Sequence, residues 1–240
     1  MSERIKKLKT QQIKHFASFY DLKILEYEET LEIQKRIVLS KIKNRKTKDQ
    51  ILFVEHPLVF TLGKQGGKEN LSVSEEFLNS KNIKIIKTNR GGNITCHCPG
   101  QAVLYPIIDL KKHKIAVKDF VFGLEEVMRL IAIDYSINAE RNNKNHGIWI
   151  KNAKIGSIGI SIKHGISFHG LSMNINPDLK FFSWINPCGL KEISITSLEN
   201  EIIKSKHKSN YKKPLISMQE IKKKFIEYFS SVFDYNIIYY

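Results

Sequence analysis

A mixed α/β domain with largely antiparallel sheets and flanking helices is the fold class that this 240-residue sequence predicts. Short apolar runs of β type crowd the middle of the chain and are parted by Gly- and Pro-bearing turns rather than by helices. Three stretches, near the start, the middle and the end, carry apolar residues at helical spacing. The two kinds of element mix without the strict alternation of a doubly wound parallel sheet.

Tyr27, Leu31, Ile33, Ile37 and Val38 recur at near-helical spacing among Glu and Lys, which predicts an amphipathic helix over 27–42, followed by a basic loop from Lys43 to Lys48. Ile51-Leu52-Phe53-Val54 suits a buried strand that His56-Pro57 ends, because the residue before proline is pushed to extended geometry. Val59 to Leu62 resumes it. Ile83 to Lys87, Ile94 to His97 and Ala102 to Ile108 are further strands, separated by Arg90-Gly91-Gly92 and Pro99-Gly100. Phe120, Leu124, Val127, Met128 and Ile131 make a second helical stripe. Gly147 to Ile150, Lys154 to Ile162 and Ile166 to Ile175 read as a second sheet region. Ser217-Met218-Gln219-Glu220 has the pattern of a capping box and opens a terminal helix with Ile221, Phe225, Phe229 and Val232 on one face. The expected organisation is a single domain over 1–240, with 1–20 and 201–240 as peripheral extensions.

The chain is 42% hydrophobic and 10% aromatic, too rich in core-forming residues for a disordered polymer. Three cysteines, Cys96, Cys98 and Cys188, form no even framework, which points to free thiols and a reducing, cytoplasmic setting. No apolar run approaches the roughly 20 residues of a membrane span, so no membrane partner is expected. The formal net charge of +15 would attract acidic partners. Its lysines are scattered over separate segments without a recognition motif, so nucleic acid is not expected.

Asn186-Pro187-Cys188-Gly189 sets a thiol between a φ-locked residue and a permissive one, a geometry that holds a side chain at a turn. This tetrapeptide alone leaves a nucleophile and an ordinary buried thiol both open. A thiol near its reference pKa of about 8.5 needs a neighbouring cation or base to work at neutral pH. Lys154, in Lys154-Ile155-Gly156-Ser157-Ile158-Gly159, is one of many basic residues that could serve. Asn89 to Asn93, with Thr95 and His97 after it, reads equally as a ligand-lining loop with Arg90 as a fixed fork or as a hairpin turn. Cys96-His97-Cys98 does not make a metal site: in a strand the two thiols face one side and the imidazole the other. His15 on a helix face, and His113, His146 and His207, are expected in packing or in solvent.

Taken together, three ordered blocks resemble the lipoyl(octanoyl) transferase family, octanoyl-acyl-carrier-protein:protein N-octanoyltransferases. The first is Glu55-His56-Pro57 with Phe60-Thr61-Leu62-Gly63. The second runs from Arg90-Gly91-Gly92 through Thr95, His97, Pro99-Gly100-Gln101 and Tyr105-Pro106. The third joins Lys154-Ile155, Gly159, His169-Gly170-Leu171, Asn174, Phe182, Pro187-Cys188-Gly189 and Thr196-Ser197-Leu198. The blocks span roughly residues 20–200.

The resemblance implies a fold shared with the catalytic domains of biotin and lipoate protein ligases. It implies transfer of an octanoyl group from octanoyl-acyl carrier protein to the lysine ε-amine of lipoyl domains of 2-oxo-acid dehydrogenases and of the glycine-cleavage H protein. Cys188 would carry the acyl group and Lys154 would lower its pKa. Arg90, Gly91, Gly92, Asn93, Ile94, Thr95, Cys96, His97, Ser157, Ile158, Gly159, Gly170, Leu171 and Ser172 would line the acyl site. It implies no cofactor and no metal, and the enzyme is expected to act as a monomer. Two positions depart from the family pattern, Cys96 for tyrosine and Cys98 for glycine, and Cys98 takes positive φ less readily. The rival readings are an ATP-dependent lipoate or biotin ligase on the same scaffold and a non-enzymatic basic binding module.

Overall fold

The computed structural model describes residues 15–142, 145–186, 193–205 and 216–240. The strands are β1 (His15–Ile24), β2 (Asp49–Glu55), β3 (Val59–Leu62), β4 (Lys84–Lys87), β5 (Ile94–His97), β6 (Gln101–Ile107), β7 (Glu140–Arg141), β8 (Gly147–Ile150), β9 (Ala153–Lys163), β10 (Ile166–Asn174), β11 (Ser194–Ile195) and β12 (Tyr235–Tyr239). The helices are α1 (Tyr27–Lys43), α2 (Glu75–Ser80), α3 (Val117–Asp134), α4 (Leu198–Ser205) and α5 (Met218–Phe233).

One large sheet runs in the order β12-β1-β2-β6-β10-β9-β8-β7, with β11 paired to β9. β12 and β2 lie parallel to β1, and the pairings from β2 through β6, β10, β9 and β8 to β7 are antiparallel. A second sheet, β4-β3-β5, comes from the middle of the chain. The mixed, mainly antiparallel class expected from the sequence is therefore the class observed. The division between sheets falls elsewhere, since β8, β9 and β10 join the large sheet through the β6–β10 pairing and β3 to β5 form the small one.

Alternation along the central strands gives the large sheet two apolar faces. Ile51 and Phe53 on β2, Ala102 and Leu104 on β6, and Leu171 and Met173 on β10 face a core completed by Phe120, Leu124, Val127 and Ile131 of α3 and Ile221, Phe225 and Phe229 of α5. Leu52, Val54, Val103, Tyr105, Ile107 and Phe168 face the opposite way, against Tyr27, Leu31 and Val38 of α1. Among the described residues of the expected extensions, Phe225 of α5 is fully buried and β1 lies inside the sheet between β2 and β12, so these parts belong to the core rather than to the periphery. His15, expected on a helix, begins β1. Ser217 is the N-cap of α5, but its side chain makes no capping bond. Glu220, expected to complete the capping box, instead accepts a bond from the Tyr135 hydroxyl at 2.7 Å.

A proline shapes the middle of the sheet. Pro106 on β6 has no N–H to give to β10, and the β6–β10 ladder runs only from Asn174↔Gln101 to Leu171↔Leu104. Next to this break, His169 adopts a left-handed backbone at φ 54° and turns its N–H to Gln34 Oε1 of α1 at 2.7 Å. Gly170 follows because nothing larger fits: a Cβ there would lie 2.0 Å from the Leu104 carbonyl oxygen and 2.8 Å from Pro106 Cδ.

Candidate active site

Beside this irregularity lies a half-open cavity of about 760 Å³, solvent at its mouth included. Its floor is β9 and β10, its walls are the 90–97 segment and β6, and Tyr27 of α1 closes one side.

The Arg90 loop is seated by backbone bonds on both sides. The Gly91 N–H donates to the Ile160 carbonyl on β9 at 2.9 Å, while Lys64 and Gln65 donate to the carbonyls of Arg90 and Gly92. Gly159 leaves room for the docking, as a Cβ there would lie 3.1 Å from both Arg90 Cδ and the Gly91 oxygen. The Arg90 guanidinium donates to the Thr61 carbonyl at 2.6 Å, to Thr61 Oγ1 at 2.9 Å and to the Gly91 carbonyl at 3.0 Å, so much of the fork that the sequence offered to a ligand holds its own loop to β3. Its positive charge still reaches the cavity.

Of the residues expected at the site, Arg90, Gly92, Asn93, Ile94, Thr95, His97, Lys154, Ser157, Ile158, Gly159, Gly170, Leu171 and Ser172 line this one cavity. Gly91 and Cys96 do not. Gly91 is the docking residue beneath the loop. Cys96 packs with Cys98 in the apolar cluster of Phe60, Leu62, Leu78 and Ile83 beside the cavity, and burial pushes its thiol well up. Cys96 and the His97 ring thus take opposite sides of β5, as strand geometry requires, and Cys98, one residue past the strand, shares the apolar cluster of Cys96. No cluster of metal-ligand residues occurs among the described residues. Cys98 has no positive φ, and the left-handed turn falls on Gly100 at φ +85°. Cys188 and His207 lie outside the described residues.

Lys154 is buried, and its Nζ sits 5.1 Å from the centre of the Trp149 ring. β11 fixes the strand that carries it: Ile195 pairs with Lys154, and the Thr196 N–H donates to the Lys154 carbonyl at 3.0 Å. Gly147, at φ +123°, lets β8 pass close by, because a Cβ there would meet the Gly156 oxygen at 2.1 Å and Lys154 Cε at 3.0 Å. Glu125 of α3 holds that glycine by accepting its N–H at 3.0 Å.

Sequence reasoning did not assign Tyr27, Gln101, Val103, Tyr105, His169, Asn174, Phe182 and Ile195 to the site, though all line it. Gln101, Tyr105, His169, Asn174 and Phe182 stood in the ordered blocks and could have been taken from them. Tyr27, Val103 and Ile195 arrive only through the tertiary fold. The imidazoles here are buried and neutral. Burial, and then the Arg90 charge, holds His169 down to about 3; burial alone takes His56 to about 4. His97 lies well below the usual imidazole range, again chiefly through burial. Burial lifts Tyr27 to about 12.

The model of the lipoyl protein ligase A/B catalytic domain matches residues 26–230. An octanoyltransferase from Desulfotalea psychrophila is 44% identical over 200 residues, covering 82% of this chain and 90% of the relative. One from Caldicellulosiruptor bescii is 45% identical over 180 residues, covering 74% and 78%. Among solved structures, a lipoate-protein ligase A bound with ATP superposes with a TM-score of 0.69 at 12% identity over 95% of this chain and 89% of that one. A bi-partite lipoate protein ligase from Thermoplasma acidophilum gives 0.64 at 12% identity over 95% and 87%. At that identity the ligases speak for the fold, while the sequence relatives decide the kind of enzyme. With the family model spanning most of its length and relatives this similar across it, the chain belongs to the lipoyl protein ligase A/B catalytic domain family and is an acyltransferase of its octanoyltransferase branch.

Proposed function

We propose that the protein transfers an octanoyl group from octanoyl-acyl carrier protein to a lysine ε-amine of lipoyl domains, through a thioester on Cys188. The acceptors are lipoyl domains of 2-oxo-acid dehydrogenases and the glycine-cleavage H protein, and the enzyme acts as a monomeric, single-domain protein of the cytoplasm. The observation that carries this reading is Lys154, a lysine buried in the wall of the cavity that gathers the Arg90 loop, Ser157 to Gly159 and Gly170 to Ser172.

The Cys188 thiolate attacks the donor's carbonyl carbon, the new C–S bond forms, and the carrier's C–S bond breaks to release its sulfur as a thiolate. The lysine amine then attacks the acyl-enzyme, a C–N bond forms, and the Cys188 C–S bond breaks, with the amine's proton ending on sulfur. Thioester exchange is nearly isoenergetic and amide formation is downhill, so no adenylation is needed. Lys154 as an ammonium favours the thiolate. Leu171, Ile158 and Val103 give the acyl chain apolar wall.

Intact-mass measurement after incubation with octanoyl-acyl carrier protein and no ATP tests this. An octanoyl adduct that hydroxylamine removes, absent from Cys188→Ala, is expected. An ATP requirement, or an adduct that persists in Cys188→Ala, overturns it. The outcome with ATP also separates it from a ligase on the same scaffold.

A further inference from the structure

The polar wall formed by His97 and Tyr105 offers acceptors, and the direction of every bond behind it is fixed by backbone carbonyls. Asn174 donates through Nδ2 to the Thr196 carbonyl at 3.0 Å, and a carbonyl only accepts, so Asn174 Oδ1 must face Gln101. Gln101 Nε2 meets that oxygen at 2.9 Å and the Cys96 carbonyl at 3.3 Å, which leaves Gln101 Oε1 toward His97 Nδ1 at 2.6 Å. His97 therefore carries its proton on Nδ1. Being neutral, it keeps a lone pair on Nε2.

Tyr105 is fixed in the same manner. His56 Nδ1 donates to the Leu25 carbonyl at 2.7 Å, so its Nε2, neutral through burial, accepts from the Tyr105 hydroxyl at 2.8 Å. The phenolic proton is committed to His56 and the oxygen's lone pairs remain. Tyr27 stacks on the His97 ring at 5.6 Å and fixes its plane. His97, Tyr105 and Tyr27 all line the cavity.

Resting on the transfer reading above, we infer that His97 Nε2 and the Tyr105 hydroxyl oxygen form the subsite for the attacking primary amine and receive its N–H groups. A developing oxyanion would find no donor on this wall, whereas a neutral amine has N–H groups to give it and a lone pair left for the acyl carbon. The Arg90 charge is felt by His97, Tyr105, Tyr27 and His169 alike, and it favours the amine's neutral, nucleophilic form. As the C–N bond forms, the C–S bond breaks and the amine's proton leaves with the sulfur. Gln101 and Asn174 are positioning residues that act through His97.

The test separates loading from discharge in rapid-quench single turnovers of the full chain, first loaded by octanoyl-acyl carrier protein, then mixed with apo-lipoyl domain or with n-butylamine. Gln101→Leu and Tyr105→Phe should each slow discharge at least about tenfold more than loading, in the range of one lost positioning bond. His97→Gln, which restores an acceptor oxygen near the Nε2 position, should discharge faster than His97→Leu. Nitrogen-15 spectra of histidine-labelled protein should show His97 as the Nδ1–H tautomer in the wild type and should lose that preference in Gln101→Leu. An Nε2–H tautomer in the wild type, or equal slowing of loading and discharge in both variants, overturns the inference even where the acyl-enzyme forms. Absence of any acyl-enzyme in the wild type overturns the transfer reading itself and this inference with it.

Discussion

Lys154 sits in a small space whose dimensions its neighbours dictate. Trp149 lies beside its Nζ, a Cβ on Gly147 would crowd its Cε, and Glu125 holds Gly147 by the backbone. A positive charge on a buried, strand-fixed stem affects a nearby thiol far more than a solvated surface lysine would. Lys154→Met keeps the stem and removes the charge. It should raise the midpoint of the Cys188 alkylation profile toward the reference of about 8.5 and lower acyl loading by about 100-fold. The rate of iodoacetamide reaction against pH measures the first and quenched loading the second; an unmoved midpoint would remove Lys154 from its role. Nothing in the local chemistry of Lys154 distinguishes it among 39 basic residues, and only the ordered blocks single it out. Those blocks also supply the Arg90, Ser157 and Gly170 segments, because glycines that let one strand approach another leave a motif. Tyr27 and Ile195 leave none, since side chains that reach the cavity from α1 and β11 are ordinary apolar residues in their own segments.

At the scale of elements, α5 and the two parallel strands at the sheet's edge matter most. α5 supplies Ile221, Phe225 and Phe229 to the same core as α3, and β12, which follows it directly, pairs with β1 from His15↔Tyr235 to Phe19↔Tyr239. The strand after α5 thereby closes on β1, the first of the described strands. Phe225 is fully buried, with its ring 6.1 Å from that of Phe53 on β2. Phe225→Ala should destabilise the fold by about 3 to 5 kcal/mol, through lost transfer energy and the cavity left behind. Urea unfolding would show this as a lower midpoint at an unchanged slope, and a loss below about 1 kcal/mol would mean that α5 is the appendage the sequence suggested. The helix itself was legible, because four apolar residues at helical spacing need no partner to be seen. Its importance was not, because β1 and β12 pair in parallel across nearly the whole chain and carry no turn signal between them. β1 also alternates poorly, with Ala17, Ser18 and Phe19 buried in succession. Strands joined by tight turns, such as β9 and β10, announce themselves; strands brought together by tertiary packing do not.

For the molecule as a whole, the balance of charge sets how stability responds to acid. The chain carries a formal +15, yet its centre holds imidazoles that stay neutral, His56 at about 4, His169 at about 3 and His97 well below the usual range. In the unfolded chain each would titrate near 6.5. Between those folded values and about 6.5 the unfolded state binds more protons, so stability is full above about 6.5 and declines as the pH falls toward the folded values. Asp49 extends the loss to lower pH. Held down to about 2 by His113 and by Lys41, its ion pair at 2.7 Å, it contributes stability above the unfolded carboxylate range that disappears as the pH falls through its folded value. Each added proton also raises a positive charge already in excess, so self-repulsion works in the same direction. The unfolding midpoint should therefore fall on going from pH 7 to pH 5, with about two to three protons taken up on unfolding near pH 5. Calorimetry across that range measures the uptake, and His169→Gln should reduce it by about one proton. A flat profile between pH 7 and 5 would mean that these rings are already charged in the fold. In that event His97 Nε2 would carry a proton and could not accept one from an amine, so this whole-molecule measurement bears directly on the chemistry of the cavity wall.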